Sequence, residues 1–172
     1  KIAIDCANGA AYSIGPKVFR EMGATVCSVF SSPDGLKINE NCGATNLDAL
    51  VKLVLDEKAD IGIALDGDAD RLMMVYHNGE IVDGDELLYI IAKGAYERGK
   101  LHGGVVGTLM SNLGLEKALK DDGIVFLRAN VDQGQALPPR LVRRREVRAD
   151  VVVVAEDGPD AVEQLLADQV GE

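Results

Sequence analysis

The chain has 172 residues, of which 47% are hydrophobic, and it carries a formal net charge of −10 from 28 acidic and 18 basic side chains. This length and apolar content can supply a buried core for one or two domains, while the acidity argues against a nucleic-acid partner, whose phosphates would be repelled. No apolar run approaches the ~20 residues that span a bilayer, so we expect no membrane partner.

The three cysteines Cys6, Cys27 and Cys42 are odd in number and lack metal-ligand spacing. This pattern indicates reduced thiols and a cytoplasmic location. The chain also begins inside a strand-like pattern without a leading Met, from which we expect a fragment of a longer protein. A charged residue at position 5 argues against a signal peptide at this start.

The first part of the chain alternates strands with helices. The hydrophobic pattern predicts strands at Lys1–Cys6, Ala24–Phe30 and Ile61–Leu65. A helix is predicted from Ala11 to Met22, and Asn46 can cap another helix that continues to about residue 57. This order is typical of an α/β fold with a mixed or parallel sheet and helices on both faces.

A hairpin and a helix follow. Asn78-Gly79 lies between two apolar runs, Leu72–Tyr76 and Glu80–Val82, which is a strong signal for a two-stranded hairpin. The next helix is predicted to start at Asp83 or Asp85 and to continue through residue 98. We therefore expect a first domain over residues 1–99.

A second unit of similar type is predicted at residues 100–131. It has a strand at Val105–Gly107, a helix capped by Ser111, a stop at Gly123 and a strand at Ile124–Ala129. Residues 132–172 form a divergent, unassigned tail. Its arginine cluster at 140–148 is interpreted as a solvated basic face rather than a phosphate site.

The most informative segment is the run Asp66-Gly67-Asp68-Ala69-Asp70-Arg71, which directly follows the apolar strand 61–65. Side chains at alternate positions of a tight loop can converge on one point, and three converging carboxylates repel one another unless a cation compensates them. Oxygen ligands suit Mg²⁺ or Ca²⁺, and ligands bind at the carboxyl ends of strands in open α/β sheets. Arg71 adds a positively charged guanidinium group, whose N–H donors match the oxygens of a phosphate.

Three other interpretations of this run are weaker. A solvated acidic turn would not explain the buried strand before it or the arginine after it. An EF-hand-type loop starting at Asp66 needs Gly and Glu where the chain has Arg71 and His77. The haloacid dehalogenase class has Thr or Val where this chain has Asp70.

The acidic run resembles the metal-binding loop of the α-D-phosphohexomutase family, and four further segments resemble the bacterial branch that acts on glucosamine phosphates. The similarity covers residues 1–131. The segments are Asp5-Cys6-Ala7-Asn8-Gly9-Ala10, Asn39-Glu40-Asn41-Cys42-Gly43-Ala44-Thr45, Ile81-Val82-Asp83-Gly84-Asp85-Glu86 and Gly107-Thr108-Leu109-Met110-Ser111-Asn112.

The resemblance implies an isomerase that interconverts glucosamine 6-phosphate and glucosamine 1-phosphate through a phosphoserine, on the route to UDP-N-acetylglucosamine. Asp66, Asp68 and Asp70 match the family's Mg²⁺ ligands, and Arg71 would contact the transferring phosphate. In the second unit, Thr108, Ser111 and Asn112 are candidates for contacts with the phosphosugar substrate.

Other functional segments of the family are absent from this sequence. It contains no Ser-His-Asn-Pro phosphoserine loop, no Glu-x-Ser-Gly-His sugar loop and no C-terminal phosphate loop, and the family's Gly-Asp-Arg-Tyr is replaced after Val131. We therefore expect the chain to be inactive by itself. Two alternatives stay open, namely a piece of a phosphomannomutase or phosphoglucomutase and a non-catalytic metal-binding module of the same fold.

Overall fold

A computed structural model describes residues 1–101, 103–129 and 153–154. It divides the chain into two units, Lys1–Gly84 and Asp85–Glu172. His102 and most of the tail predicted at residues 132–172, including the arginine cluster, lie outside the described residues.

The first unit is built on a five-stranded mixed sheet with the strand order β2-β1-β3-β4-β5. The first three strands in this order are parallel, and β4 and β5 are antiparallel additions at one side. The strands are β1 Ile2–Asp5, β2 Val26–Val29, β3 Ile61–Leu65, β4 Leu72–Tyr76 and β5 Ile81–Val82. The strand that precedes the acidic run, β3, is therefore central.

Helices cover both faces of this sheet because strand residues alternate between the faces. Ala3 packs with Leu50 and Val54 of helix α2, which spans Asp48–Glu57. The adjacent Ile4 packs on the other face near Phe19 of helix α1, which spans Ile14–Glu21. One turn of 3-10 helix, Gly43–Thr45, precedes α2. The predicted α/β architecture is confirmed.

The second unit repeats the α/β pattern around a three-stranded sheet in the order β7-β6-β8. Strands β6 and β7 are parallel, whereas β8 pairs antiparallel to β6. The elements are α3 Gly84–Glu97, β6 Val105–Thr108, α4 Leu113–Asp121, β7 Phe126–Ala129 and β8 Val153–Val154. Within the described ranges, no helix is long and apolar enough to cross a bilayer.

The boundary between the units differs from the one predicted at residues 99–100. The structure groups α3 with the second unit, because Leu88 and Ala92 of this helix pack against Val105 and Leu119. A helical apolar stripe indicates that a helix buries one face, but it does not identify the sheet that covers that face.

Two helix caps were also predicted wrongly. Leu47, not Asn46, precedes the first residue of α2, and it makes no side-chain capping hydrogen bond. Asn112 caps α4, because its Oδ1 accepts a hydrogen bond of 2.7 Å from the backbone N–H of Leu115. The predicted cap, Ser111, instead accepts a hydrogen bond from the backbone N–H of Thr108. Ser and Asn are both good N-caps, so the sequence alone could not separate two neighbours.

Candidate functional site

The acidic loop leaves the carboxyl end of β3 and brings its three carboxylates together. One ligand oxygen from each of Asp66, Asp68 and Asp70 lies within 4.8 Å of the others. Asp66 is buried, with 1% of its surface exposed, whereas Asp68 and Asp70 are exposed. The cluster therefore has one fixed member at the sheet edge and two members that reach solvent.

Local hydrogen bonds give the loop its tight shape. The backbone N–H of Ala69 donates to the carbonyl of Asp66 at 3.0 Å, and the N–H of Arg71 donates to Asp66 Oδ1 at 3.1 Å. Ala69 adopts a left-handed conformation with φ of 60°, which is unfavourable for a residue with a Cβ atom. This turn places the carboxylates of residues 68 and 70 on the same side as that of residue 66.

Arg71 balances part of the charge of this cluster. Its Nε donates to Asp66 Oδ2 at 2.7 Å and lies 3.8 Å from Asp70 Oδ1. Burial disfavours the charged form of Asp66, but the hydrogen bonds from Arg71 outweigh this effect and lower the pKa of Asp66. Partial desolvation and the neighbouring carboxylates of Asp66 and Asp68 raise the pKa of Asp70.

The donor set fits a hard divalent cation. Three carboxylate oxygens at mutual distances below 4.8 Å are the kind of ligand that Mg²⁺ takes, together with water or phosphate oxygens. After desolvation, the neighbouring carboxylates also contribute to the raised pKa of Asp70, because like charges at this spacing disfavour one another. Among the described residues, the carboxylates of Asp66, Asp68 and Asp70 are the acidic, histidine or cysteine side chains that lie close enough together to hold a metal ion.

Two other segments lie directly against the acidic loop, one through the backbone of Gly9 and Ala10 and the other through the side chains of Ile38 and Asn39. The N–H of Ala10 donates to the carbonyl of Gly67 at 2.8 Å. A Cβ built on Gly9 would lie 2.6 Å from Gly67 Cα, and one built on Gly67 would lie 2.9 Å from Asn39 Nδ2. The absence of side chains at Gly9 and Gly67 is what allows this approach.

The residues predicted to contact substrate in the second unit form a turn after β6. Thr108 Oγ1 accepts from the N–H of Met110 at 3.1 Å, and Ser111 Oγ accepts from the N–H of Thr108 at the same distance. Asn112 donates its own N–H to Asp85 Oδ2 at 2.9 Å. The hydroxyl oxygens of Thr108 and Ser111 thus stabilise the backbone of this turn. Contact of Thr108, Ser111 and Asn112 with a substrate stays a prediction.

Sequence reasoning missed Arg128 on β7, which braces the same turn. Arg128 Nη1 donates to the carbonyl of Ser111 at 2.7 Å, while its Nη2 pairs with Glu116 at 3.0 Å. An arginine inside an otherwise apolar strand was the signal that could have identified it, because a buried or half-buried guanidinium needs partners.

Other candidates show no arrangement for catalysis. His77 is exposed beside the hairpin turn. Cys6 and Cys42 are buried, and burial together with the charge of Asp5 raises the pKa of Cys6 to about 11 and also raises the pKa of Cys42. Such thiols are poor nucleophiles at neutral pH, which agrees with their interpretation as packing residues.

Two sequence profiles of one family match the chain. The profile described as phosphoglucomutase/phosphomannomutase, alpha/beta/alpha domain II, matches residues 1–79, and the profile for alpha/beta/alpha domain III matches residues 83–133. Together they cover residues 1–133 except residues 80–82, which contain β5.

Curated relatives share high sequence identity with the chain. A phosphoglucosamine mutase from Pseudomonas syringae is 57% identical over 147 residues, which are 86% of this chain and 33% of that protein. A protein named phosphoglucosamine mutase 2 from a Shewanella species is 62% identical over 131 residues, covering 76% of this chain and 29% of that protein. The chain thus spans about a third of the length of these relatives.

A solved structure shares the fold at lower identity. A phosphoglucomutase/phosphomannomutase family protein from Burkholderia thailandensis superposes with a TM-score of 0.66 at 23% identity, over 76% of this chain and 29% of that one. At this identity the comparison supports the α/β architecture alone.

Proposed function

Because the chain belongs to the phosphoglucomutase/phosphomannomutase family, we propose that it is the metal-binding segment of a phosphoglucosamine mutase. The full enzyme would interconvert glucosamine 6-phosphate and glucosamine 1-phosphate in the cytoplasm, where the free thiols of Cys6, Cys27 and Cys42 stay reduced. The observation that supports this most is the identity of 57% and 62% to relatives that carry that name.

In the proposed reaction, the phosphoryl group moves between a serine oxygen and a sugar hydroxyl. The serine O–P bond breaks and an O–P bond to the sugar forms, while the sugar hydroxyl loses a proton and the serine oxygen gains one. In the return step the other O–P bond of the bisphosphate breaks, the serine hydroxyl loses its proton as its O–P bond forms again, and the released sugar oxygen gains a proton. The phosphoserine, which this sequence lacks, would come from another part of the enzyme. Positioning and charge stabilisation are the main contributions of a protein to such a transfer.

We propose that Asp66, Asp68 and Asp70 hold Mg²⁺. The bound ion would neutralise charge on the transferring phosphoryl group. Asp66 is suited to be the fixed ligand, because it is buried and its orientation is set by Arg71. Asp68 and Asp70 are exposed, so they can adjust to the ion and leave coordination positions for phosphate oxygen and water.

We propose that Arg71 contacts the phosphate. Its side chain is 59% exposed while Nε is bonded to Asp66, so the guanidinium is anchored at one edge and accessible to ligand. A planar guanidinium group held in this way can donate hydrogen bonds to two phosphate oxygens without a large loss of side-chain entropy.

A segment exchange tests the proposed function. Residues 1–131 would replace the matching segment of the Pseudomonas syringae phosphoglucosamine mutase, and the folded chimera would be assayed with glucosamine 6-phosphate. We expect the chimera to form glucosamine 1-phosphate, and we expect Asp68→Asn to lower its kcat by at least about 100-fold. A folded chimera that gives no turnover of glucosamine 6-phosphate, or that keeps full activity with Asp68→Asn, would contradict the proposal.

A further inference from the structure

A buried carboxylate lies beneath the acidic loop and is not among the groups that would touch metal or substrate. Asp5, at the end of β1, has no exposed surface. Its Oδ1 accepts a hydrogen bond of 2.8 Å from the N–H of Ala7, and its Oδ2 accepts one of 2.8 Å from the N–H of Gly43. One side chain therefore ties the turn that follows β1 to a residue 38 positions after Asp5 in the chain.

The first segment tied by Asp5 is a turn in an unfavourable backbone conformation. Ala7 and Asn8 both have positive φ, of 51° and 49°. Two successive left-handed residues with side chains persist only where surrounding contacts hold them. The bond from Ala7 to Asp5 is one such contact, and the N–H of Asn8 donates to the carbonyl of Phe30 at 2.7 Å as another.

The second segment returns to the same turn and to the end of β3. Gly43 is buried with φ of 71°, and a Cβ at this residue would lie 2.6 Å from both Ala7 Cβ and the carbonyl oxygen of Leu65. The N–H of Asn39 donates to the carbonyl of Ala7 at 3.1 Å. Residues 39–43 are therefore clamped between the turn and the residue that precedes Asp66.

The acidic loop rests on these two segments. Ala10 donates to the carbonyl of Gly67, Gly9 packs on the backbone of Gly67, and the side chains of Ile38 and Asn39 also lie against Gly67. Gly67 stands between Asp66 and Asp68 in sequence, so a displacement of its backbone moves two of the three carboxylates relative to each other. We call residues 5–10 together with 39–43 the platform.

We propose that Asp5 is a positioning residue that fixes the spacing of the three loop carboxylates through this platform. The inference rests on the proposed metal site and adds a group that acts on it through backbone contacts. Burial raises the pKa of Asp5 although the N–H groups of Ala7 and Gly43 favour its charged form. Burying this carboxylate costs free energy. The hydrogen bonds that both of its oxygens accept from backbone N–H groups offset that cost and hold the backbone in place.

The test compares Mn²⁺ affinity among variants of the full 172-residue chain, measured by water-proton relaxation at a temperature at which each variant is folded. Asp5→Asn keeps the shape of the side chain but presents an NH₂ group to one of the two N–H donors. Gly9→Ala is a second probe that leaves Asp5 intact, because Gly9 does not have a positive φ and its new Cβ would meet Gly67.

Two controls separate positioning from general damage. Gly84→Ala makes the same chemical change where a Cβ meets nothing within 4 Å. Val54→Ala opens a cavity in the core between α2 and the sheet, and so lowers stability in the same unit without touching the platform. Neither control should change the dissociation constant of the folded protein.

We expect Asp5→Asn and Gly9→Ala each to weaken Mn²⁺ binding by about 10-fold or more, as is common for residues that orient metal ligands. Unchanged affinity in a folded Asp5→Asn variant, or an equal loss with Val54→Ala, would overturn the positioning role of Asp5 while the metal site stands; unchanged affinity in a folded Gly9→Ala variant would overturn the role of the platform contact through which Asp5 is proposed to act. A wild-type chain that binds no Mn²⁺ would instead contradict the metal site itself, and the positioning role with it.

Discussion

At the scale of single residues, the acidic loop combines one buried, hydrogen-bonded carboxylate with two exposed ones. Asp66 is buried and bonded to Arg71, while Asp68 and Asp70 are exposed. A bound cation stabilises a cluster of carboxylates most when no other positive charge lies beside them. Arg71 already supplies part of this positive charge. Removing the charge of Asp68 and removing the charge of Arg71 should therefore change cation affinity in opposite directions.

Asp68→Asn should weaken divalent-cation binding by about tenfold, or ~1.4 kcal/mol, because it removes one charge at nearly constant shape. The wild-type affinity itself is expected in the millimolar range, about −4 kcal/mol, since Mg²⁺ gives up water reluctantly and only three protein ligands are present. Titration calorimetry on both proteins measures the difference. Asp56→Asn, an exposed carboxylate on α2, is the matched control; equal effects of the two changes would mean that the loop is only an acidic turn.

Arg71→Ala should strengthen cation binding by about twofold to threefold. The guanidinium lies on Asp66 Oδ2 and competes with a cation for the same charge, but the side chain is largely exposed and solvent screens the interaction. The same titration applies, with Lys52→Ala on α2 as a control for the loss of one positive charge. Weaker binding in Arg71→Ala would show that the orientation of Asp66 matters more than this competition.

At the scale of helices and strands, the elements that positioned the site were predictable from sequence. The run 61–65 is short, apolar and followed at once by polar residues, so the bounds of β3 could be assigned directly. The hairpin of β4 and β5 followed from Asn78-Gly79. These signals are local, because each depends on neighbouring residues alone.

The features that sequence reasoning missed depend on contacts between distant segments. Asp5 was noted as part of a family segment, but its bond to Gly43 joins residues 38 positions apart. Arg128 likewise braces a turn from a strand that follows it in the chain. Periodicity and spacing carry no information about such pairs until the strand order is known.

Helix α4 provides a test of capping at this scale. Asn112→Ala should destabilise the second unit by about 1 kcal/mol, because it removes the 2.7 Å bond that caps the helix. Asn46→Ala is the comparison, since Asn46 Oδ1 lies 3.4 Å from the N–H of Asp48 and should contribute less. Amide hydrogen exchange in α4 and α2 measures each effect locally. Equal protection of α4 in the wild type and Asn112→Ala would contradict the assigned cap.

At the scale of the whole molecule, the two units repeat one design in which a strand ends in a turn stabilised by its own polar side chains. In the first unit that turn carries Asp66, Asp68 and Asp70, and in the second it carries Thr108 and Ser111. Ligands bind at such strand ends in open α/β sheets. The fold class was therefore predictable, whereas the unit boundary was not, because α3 could cover either sheet.

The 172-residue polypeptide by itself should give no detectable glucosamine 1-phosphate from glucosamine 6-phosphate and a bisphosphate primer. The proposed phosphoryl transfer needs a phosphoserine donor, and none of the five serines of the chain lies in a Ser-His-Asn-Pro context. A coupled assay with the intact Pseudomonas syringae relative as the positive control measures this. Turnover above that of a mock purification would refute the expectation.

The central claim, that the acidic loop is a divalent-cation site, is tested most directly by locating Mn²⁺ through its paramagnetic effect on the backbone NMR signals of the full chain. We predict that substoichiometric Mn²⁺ broadens the amide signals of residues 66–71 first, followed by those of Ala10 and Asn39, which pack on the loop. Asp68→Asn should reduce this broadening at equal Mn²⁺ concentration. Broadening centred on another acidic stretch, such as residues 83–86, with the signals of 66–71 unaffected, would contradict the claim.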